Sequence, residues 1–371
     1  MDESRRQLLK VGSALGIVTS LFSQGSHAAN SKEARSNASP VAMQDSSTSR
    51  PDLIKLKSMP PPPEAANGPW QNLRAVKEKK VIDFHTHTYE TPVQGTNYKE
   101  EAHMHDIDQW SDFTEGLIES MNHHGVALSA LTPAFVPYET VAETSFKAHP
   151  DRFIRMTSGL TRRTKGAAEV SPAEMAELYR EQFEAGAKGI GETNFMLGVR
   201  GNYTVKDLKP VIDLVLERDA PVLLHTGWGV AGQRPDQHYK AAWRWAEDMG
   251  SLFSAYPEVK FVLGHTGGVI ETPDAREAIR LAYSFDNTYC EVSKSPASII
   301  TAAVKGVGAE RVLFGSDWNR VEPQTYGPLS QGYIFQQWYT LNHVAQADIT
   351  EDERDQLLYK TARTLLKLSP A

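Results

Sequence analysis

Cysteine is almost missing from this chain: Cys290 stands alone among 371 residues, so no intramolecular disulfide can form in any compartment. It sits inside the apolar run "NTYCEVSK", where a thiol reads as buried and inert. Positive charge is also scarce, with 39 Lys and Arg against 46 Asp and Glu and a formal net charge of −7. No basic stripe and no basic patch interleaved with aromatics is present, which excludes nucleic acid as a partner. No internal repeat of roughly 20–50 residues occurs, so a solenoid or propeller is excluded. What is there is an ordinary globular composition, 40% hydrophobic and 23% charged. The length allows one large domain or two ordinary ones.

The first residues do not read as part of a fold. Ser4, Arg5, Arg6, Leu8, Leu9 and Lys10 resemble the twin-arginine export consensus, with leucine in the phenylalanine place. A mild apolar segment follows, then small residues at Ser26 and Ala28, the order of a cleavable signal. That segment is about a dozen residues and is weakened by Gly12, Ser13, Gly16 and Ser20, too short to span a bilayer comfortably, which favours cleavage over an uncleaved anchor. Residues 1–28 are therefore expected to be a signal peptide and the twin-arginine machinery an export partner. The protein would be delivered, already folded, to the periplasm or beyond. Losing Arg5, Arg6 and Lys10 against Asp2 and Glu3 leaves a mature charge of −8. Residues 29–79 are rich in Ser, Ala and Pro, ending in "MPPPPE" (59–64), and read as a flexible linker. The domain is expected over 80–371.

From Lys80 onward one pattern recurs: a short apolar run, a polar residue at its end, then a helical segment. The runs are 81–87, 125–133, 152–160, 187–193, 221–227, 260–267, 288–293 and 311–318. Helix openings stand between them. Ser171-Pro172-Ala173-Glu174 reads as a capping box with proline at the first helical position, Thr272-Pro273 and Ser295-Pro296 repeat that opening, and Thr350-Glu351-Asp352-Glu353 opens the last helix. Eight strand–helix units in roughly 290 residues predict an α/β fold, the (β/α)8 TIM barrel. An open doubly wound sheet is the runner-up, but the first strand is not followed by a glycine-rich phosphate fingerprint.

In such a barrel, catalytic groups sit at the C-terminal strand ends. The first run ends "DFHTH", and alternation puts His85 and His87 on one face with Thr86 turned away. Glu192 ends the fourth run, His225 the fifth, His265 the sixth and Asp317 the eighth. Each alone has an ordinary reading as a strand-end or turn residue. Together, four histidines and a carboxylate on one barrel mouth suit a divalent ion, zinc first, with manganese or iron as alternatives.

"DFHTH", "LLHTG", "LGHTGG" and "FGSDWN" resemble the amidohydrolase superfamily, in particular its amidohydrolase-related branch, which also contains aminocarboxymuconate-semialdehyde decarboxylase. The resemblance runs from about Val81 to Leu368. It implies one metal held by His85, His87, His225 and Asp317, with His265 as the catalytic histidine and Asp317 also serving as proton acceptor. Glu192 is a further candidate ligand, because a fourth-strand acid or modified lysine bridges two metals in other branches. Lys188 shares its strand face. The closing helix of the family often carries asparagine-alanine where Thr361-Ala362 stand here.

The remaining candidates are weaker. His103 and His105 copy the first motif's spacing in the segment 88–110, which reads as a loop and a potential lid. His123 and His124 end a helical pattern and read as structural; His238 follows the fifth strand. Arg320, Arg200 and Arg234 are candidate carboxylate anchors, with Arg320 first because it is three residues past Asp317. Trp228, Trp318 and Tyr326 follow metal-bearing strand ends, and Trp228 is the preferred substrate contact. The expected activity is hydrolysis of a C–O or C–N bond in a small carbonyl compound through a metal-activated water, or else non-oxidative decarboxylation of a small unsaturated or aromatic acid. The substrate is thus a small molecule. The sequence is silent on whether subunits pair, and a homodimer is compatible with it.

Overall fold

The computed structural model describes residues 68–91, 107–133, 139–157, 170–193, 203–226, 248–267, 273–321 and 334–369, and nine parallel strands form among the described residues. All of these belong to the second of the two units into which the chain divides, Met59–Ala371. The expected signal, residues 1–28, lies outside the described residues, as does most of the expected linker.

The strands are β1 (Val81–Thr91), β2 (Val126–Leu131), β3 (Phe153–Arg155), β4 (Ile190–Thr193), β5 (Val222–His225), β6 (Phe261–Gly264), β7 (Thr288–Glu291), β8 (Val312–Leu313) and β9 (Trp318–Val321). Helices separate them: α1 (Ile107–His124), α2 (Glu139–Ala148), α3 (Pro172–Glu184), α4 (Lys209–Arg218), α5 (248–255), α6 (Pro273–Ser284) and α7 (Ala297–Val307). Then α8 (Ile334–Gln346) and a closing rod, α9 (351–365), follow the last strand. One sheet runs β3-β2-β1-β9 and the other β4-β5-β6-β7-β8. A parallel bridge between Thr157 and Ile190 joins them on one side. On the other, Phe84 donates to the Phe314 carbonyl at 3.0 Å and Asp317 to that of His85 at 2.8 Å. The ring is closed, so β8 and β9 are two halves of one eighth barrel strand. This is the expected (β/α)8 barrel.

The eighth run therefore differs from the expected continuous strand over 311–318. It breaks at Phe314–Asp317 because Asp317 takes a left-handed backbone, φ 51°. The first strand is longer than expected: β9 pairs with it as far as Glu90 and Thr91, so 88–91 is strand and the helix from Ile107 takes the other end of the expected loop. The domain also begins before Lys80. Pro69–Asn72 and Arg74–Lys77 form short helical turns that bury Trp70, Leu73, Ala75 and Val76. Arg74 is tied to the closing helix through Asp352 and Asp355. Apolar residues flanked by prolines read as linker from sequence alone, but their burial makes them part of the fold.

The helix openings largely hold. Ser171 accepts from the Glu174 amide and Pro172 starts α3, and Thr350 and Glu353 form the reciprocal capping box. Helix α6 starts at Pro273, while Thr272 lies outside the described residues. Ser295 is the exception: Pro296 holds the N-cap position of α7 without a side-chain bond, and the Ser295 hydroxyl donates instead to the His265 carbonyl at 3.3 Å. Inside the barrel, Ile82, Phe84, Ala130, Ile154, Met156, Leu223, Val262 and Leu313 make a floor capped by Ala362 and Leu365 of α9 and by Leu366 just after it. Burying such side chains contributes roughly 1.5–3 kcal/mol each. Among the described residues no helix is long and apolar enough to cross a membrane.

Candidate functional site

The site grows out of an irregularity in β1. Ile82 and Phe84 join the floor, so simple alternation would send His85 and His87 outward. The pairing of β1 with β2 shifts register between Asp83 and Thr86, and past that shift the odd-numbered residues point inward. Bulges re-aim side chains in this way beside active sites. His85 and His87 then meet with their Nε2 atoms 3.2 Å apart, while Thr86 turns away to donate to the Ala130 carbonyl at 2.6 Å.

Each ring is held from behind. His87 Nδ1 lies 2.8 Å from the Thr132 carbonyl, which can only accept. That nitrogen must carry the proton, leaving the Nε2 lone pair of the neutral ring aimed inward. His85 Nδ1 stands 3.0 Å from Glu291 of β7. His265 Nδ1 stands 2.8 Å from Ser293 Oγ, and Ser293 Oγ donates to Glu291 at 2.9 Å. One buried carboxylate therefore orients two imidazoles, His85 directly and His265 through a hydroxyl. Such outer partners are the usual companions of metal-ligating histidines. The sequence reading missed Glu291. Its signal was only a carboxylate at the end of an apolar run, the same cue that singled out Glu192.

Glu192 lies at the centre. Its Oε2 is 3.5 Å from His85 Nε2 and 3.3 Å from His87 Nε2. Its Oε1 is 2.8 Å from His225 Nδ1 and 3.2 Å from His265 Nε2. Asp317 Oδ1 approaches His87 Nε2 at 3.0 Å and His85 Nε2 at 3.7 Å. Three overlapping sets result: His85 with His265 and Asp317, His85 with His87 and Glu192, and Glu192 with His225 and His265, each with donor atoms within 4.8 Å of one another. His225 thus joins through Glu192 and His265 rather than through the first-strand pair. It is also the most open member, 30% exposed against 0% for His85.

The donor set fits a divalent ion. Two nitrogens bound to one tetrahedral zinc at 2.0–2.1 Å stand about 3.3 Å apart, the spacing His85 and His87 already have. Burial alone would lower the proton affinity of His85, His87 and His225, but neighbouring carboxylates outweigh it and raise all three. Burial likewise would raise Glu192 and Asp317, yet both are held well below the usual carboxylate range, Glu192 by His225 and His85 and Asp317 chiefly by Lys294. A cation entering this cluster replaces protons.

Two strained turns carry the last side chains. His265, Thr266 and Gly267 are consecutively left-handed, φ 61°, 43° and 82°, a conformation costing roughly 1–2 kcal/mol per non-glycine residue. Glu291 accepts from the His265 amide at 3.1 Å, Thr266 Oγ1 donates to the Glu291 carbonyl at 2.8 Å, and the Gly267 amide donates to Thr226 Oγ1 at 2.9 Å. The Asp317 turn is fixed by fully buried Asp83, which accepts from the Ser316 amide (2.9 Å) and hydroxyl (2.6 Å) and from Gln337 of α8 (2.8 Å). Desolvation pushes the Asp83 carboxyl up to about 6. Lys294, also missed in the sequence, pairs its ammonium with Asp317 Oδ2.

Other expectations sort cleanly. Lys188 is exposed rather than facing the lumen, and it lies before β4 begins at Ile190. Trp318 is buried at 1% exposure and serves as packing. His124 is structural: burial lowers it to about 3, and its ring stands 4.8 Å from that of Trp70. The Cys290 thiol is pushed up to about 12 by burial, consistent with an inert residue. Thr361 is buried and donates to the Ala309 carbonyl, away from the ligands. Arg320 pairs through its backbone with Glu90, but its side chain is not described. His103, His105, Arg200, Trp228, Arg234, His238 and Tyr326 lie outside the described residues.

A closed parallel barrel with histidines and carboxylates gathered at its strand ends defines a class: TIM-barrel proteins equipped for a metal ion. The chain belongs to the amidohydrolase family, whose model matches residues 82–368. That superfamily is metal-dependent and its members are typically enzymes acting on small molecules. An uncharacterized TIM-barrel protein from Bordetella bronchiseptica is 17% identical, with TM-score 0.54, covering 78% of this chain and 98% of that one. 4-Oxalomesaconate hydratase from Rhodopseudomonas palustris is 18% identical, TM-score 0.54, over 77% and 95%. 5-Carboxyvanillate decarboxylase from Novosphingobium aromaticivorans, complexed with manganese and 4-hydroxy-3-methoxy-5-nitrobenzoic acid, is 15% identical, TM-score 0.50, over 78% and 97%. No curated protein matches the sequence.

Proposed function

We propose that the protein is a metal-dependent hydrolase that cleaves a C–O or C–N bond in a small carbonyl compound, such as a lactone, ester or amide. The observation that supports this most is Glu192, which lies between all four imidazoles with one oxygen toward each pair. His85, His87 and Asp317, with Glu192, would hold a cation, zinc first and manganese or iron as alternatives. When bound, the ion supplies Lewis acidity and brings a water's pKa from about 15.7 to about 7.

The chain's own groups supply the proton handling. Ser293 Oγ–H donates a hydrogen bond to Glu291, so its oxygen accepts from His265 Nδ1–H and leaves the Nε2 lone pair facing the site. His265 Nε2 can take a proton there and return it to a leaving group. Asp317 turns Oδ1 toward the imidazoles and Oδ2 toward Lys294.

Elemental analysis of the purified protein beside its His85→Ala and His265→Ala variants tests this reading. About one equivalent of metal, lost in His85→Ala and kept in His265→Ala, supports it. Folded protein that takes up no metal even after reloading overturns it. The second reading is non-oxidative decarboxylation of an aromatic or unsaturated acid with the same residues, favoured by the manganese and nitrobenzoic acid bound to the Novosphingobium neighbour. Release of carbon dioxide without consumption of water separates the two. Export through the twin-arginine pathway to the periplasm is proposed on Ser4–Lys10 alone, and N-terminal sequencing of the periplasmic protein tests it.

A further inference from the structure

Lys294 stands where neither the ligand set nor the proton-handling groups require a cation. It lies in the turn 293–294 that follows β7, with a left-handed φ of 56° that a lysine does not adopt freely. Bonds on each side hold that turn. Ser293 is fixed to Glu291 and His265, the Lys294 amide donates to Thr340 Oγ1 of α8 at 3.1 Å, and Ser295 donates to the His265 carbonyl. The backbone is therefore fixed on His265 itself, and the side chain runs from it to Asp317 Oδ2. Lys294 is 25% exposed where Asp317 is 10% exposed, so it is the more solvent-accessible partner of that pair.

The charges of the cluster point the same way. Glu192, Glu291 and Asp317 bring three carboxylates to four imidazoles. One divalent ion leaves this cluster with a single negative charge, which would repel an acid. The Lys294 ammonium cancels it, pairing directly with Asp317 at the edge of the cluster.

Resting on the metal-dependent reading above, we propose that Lys294 is the anion-recognition residue of the site and that the substrate carries a carboxylate beside the reacting carbonyl. Asp317 Oδ2 marks the position of an oxygen that the ammonium already accepts as a partner. A substrate carboxylate bridging from the ion would share Lys294 with Asp317, a charge-assisted contact that a neutral isostere cannot make.

The test uses manganese-loaded full-length protein, with acetate and benzoate as probes and acetamide and benzamide as neutral controls. Binding is read as saturable paramagnetic relaxation of the probe protons. The wild type is expected to bind the acids and discriminate against the amides. Lys294→Met is expected to weaken acid binding about tenfold or more at unchanged manganese content, and Lys294→Arg to restore most of it. Equal acid binding by Lys294→Met overturns the proposal, as does a manganese-loaded wild type that ignores both acids. Loss of manganese from Lys294→Met would assign the lysine to holding Asp317 and overturn it as well. Failure of the wild type to take up any metal is a different result, which removes the metalloenzyme reading and this inference together.

Discussion

Glu291 shows how much a single buried side chain can carry without touching a substrate. It fixes the Nδ1 side of His85, accepts from the His265 amide and reaches the His265 ring through Ser293. Glu291→Gln keeps the shape but weakens the acceptor, and metal affinity should fall about 10–100-fold, read by competition with a chromophoric chelator. Unchanged affinity would remove Glu291 from the site's support. His124 gives a prediction of the opposite kind, because its low value of about 3 arises from burial beside Trp70 rather than from chemistry. The unfolded chain takes up this proton below about pH 6.5, whereas the folded chain resists until about pH 3. Stability is therefore lost as pH falls through that window, by up to about 1.4 kcal/mol per unit from this group. Urea midpoints between pH 7 and 4 should fall less steeply in His124→Gln, and parallel profiles would contradict the assignment. At this scale the histidines and Asp317 were legible in the sequence, because strand ends concentrate function. Glu291 and Lys294 were not, since their partners lie on other strands and only folding brings them close.

Between residue and barrel, the informative element is the interrupted eighth strand. Phe314 donates to the Leu357 carbonyl, in the π turn of the closing helix, instead of to a neighbouring strand, and Asp317 then turns left-handed into the ligand cluster. Gly315 is the residue that allows it: a Cβ there would lie 2.3 Å from Glu291 Oε1 and 2.7 Å from His85 Cβ. Gly315→Ala must push both aside, so it should lower metal content sharply while leaving the far-ultraviolet circular dichroism of the barrel near native. Full metal retention would mean the strand gives way at no cost to the ligands. This also explains an expectation that differed. The apolar pattern of 311–318 is that of an unbroken strand, and nothing local announces the break. It is imposed from outside by Asp83, Gln337 and Glu291, all distant in sequence. Capping residues were readable in advance where the bond is local, as at Ser171 and Thr350, and misleading at Ser295, whose hydroxyl is taken by His265.

At the level of the whole molecule, the alternation of short apolar runs and helices was enough to give the barrel, since parallel strands with crossover helices leave few other arrangements. The lower boundary was misjudged because proline-rich flanks hid Trp70. That ring packs against His123 and His124 at 5.6 and 4.8 Å between centroids, and Trp70→Ala should cost about 3–5 kcal/mol. Thermal denaturation should show the loss, while metal equivalents stay the same; a variant as stable as the wild type would return residues 68–79 to the linker. The closing seam has a consequence for how the protein is made. Asp83 on the first strand finds Ser316 only 233 residues later, and β1 pairs with β9 on the same side. A ribosome must therefore finish β8, and the helix that props it, before the cluster owns its last carboxylate. Chains cut short of Asp317 should emerge unable to retain a metal, so that loading reports on completed synthesis.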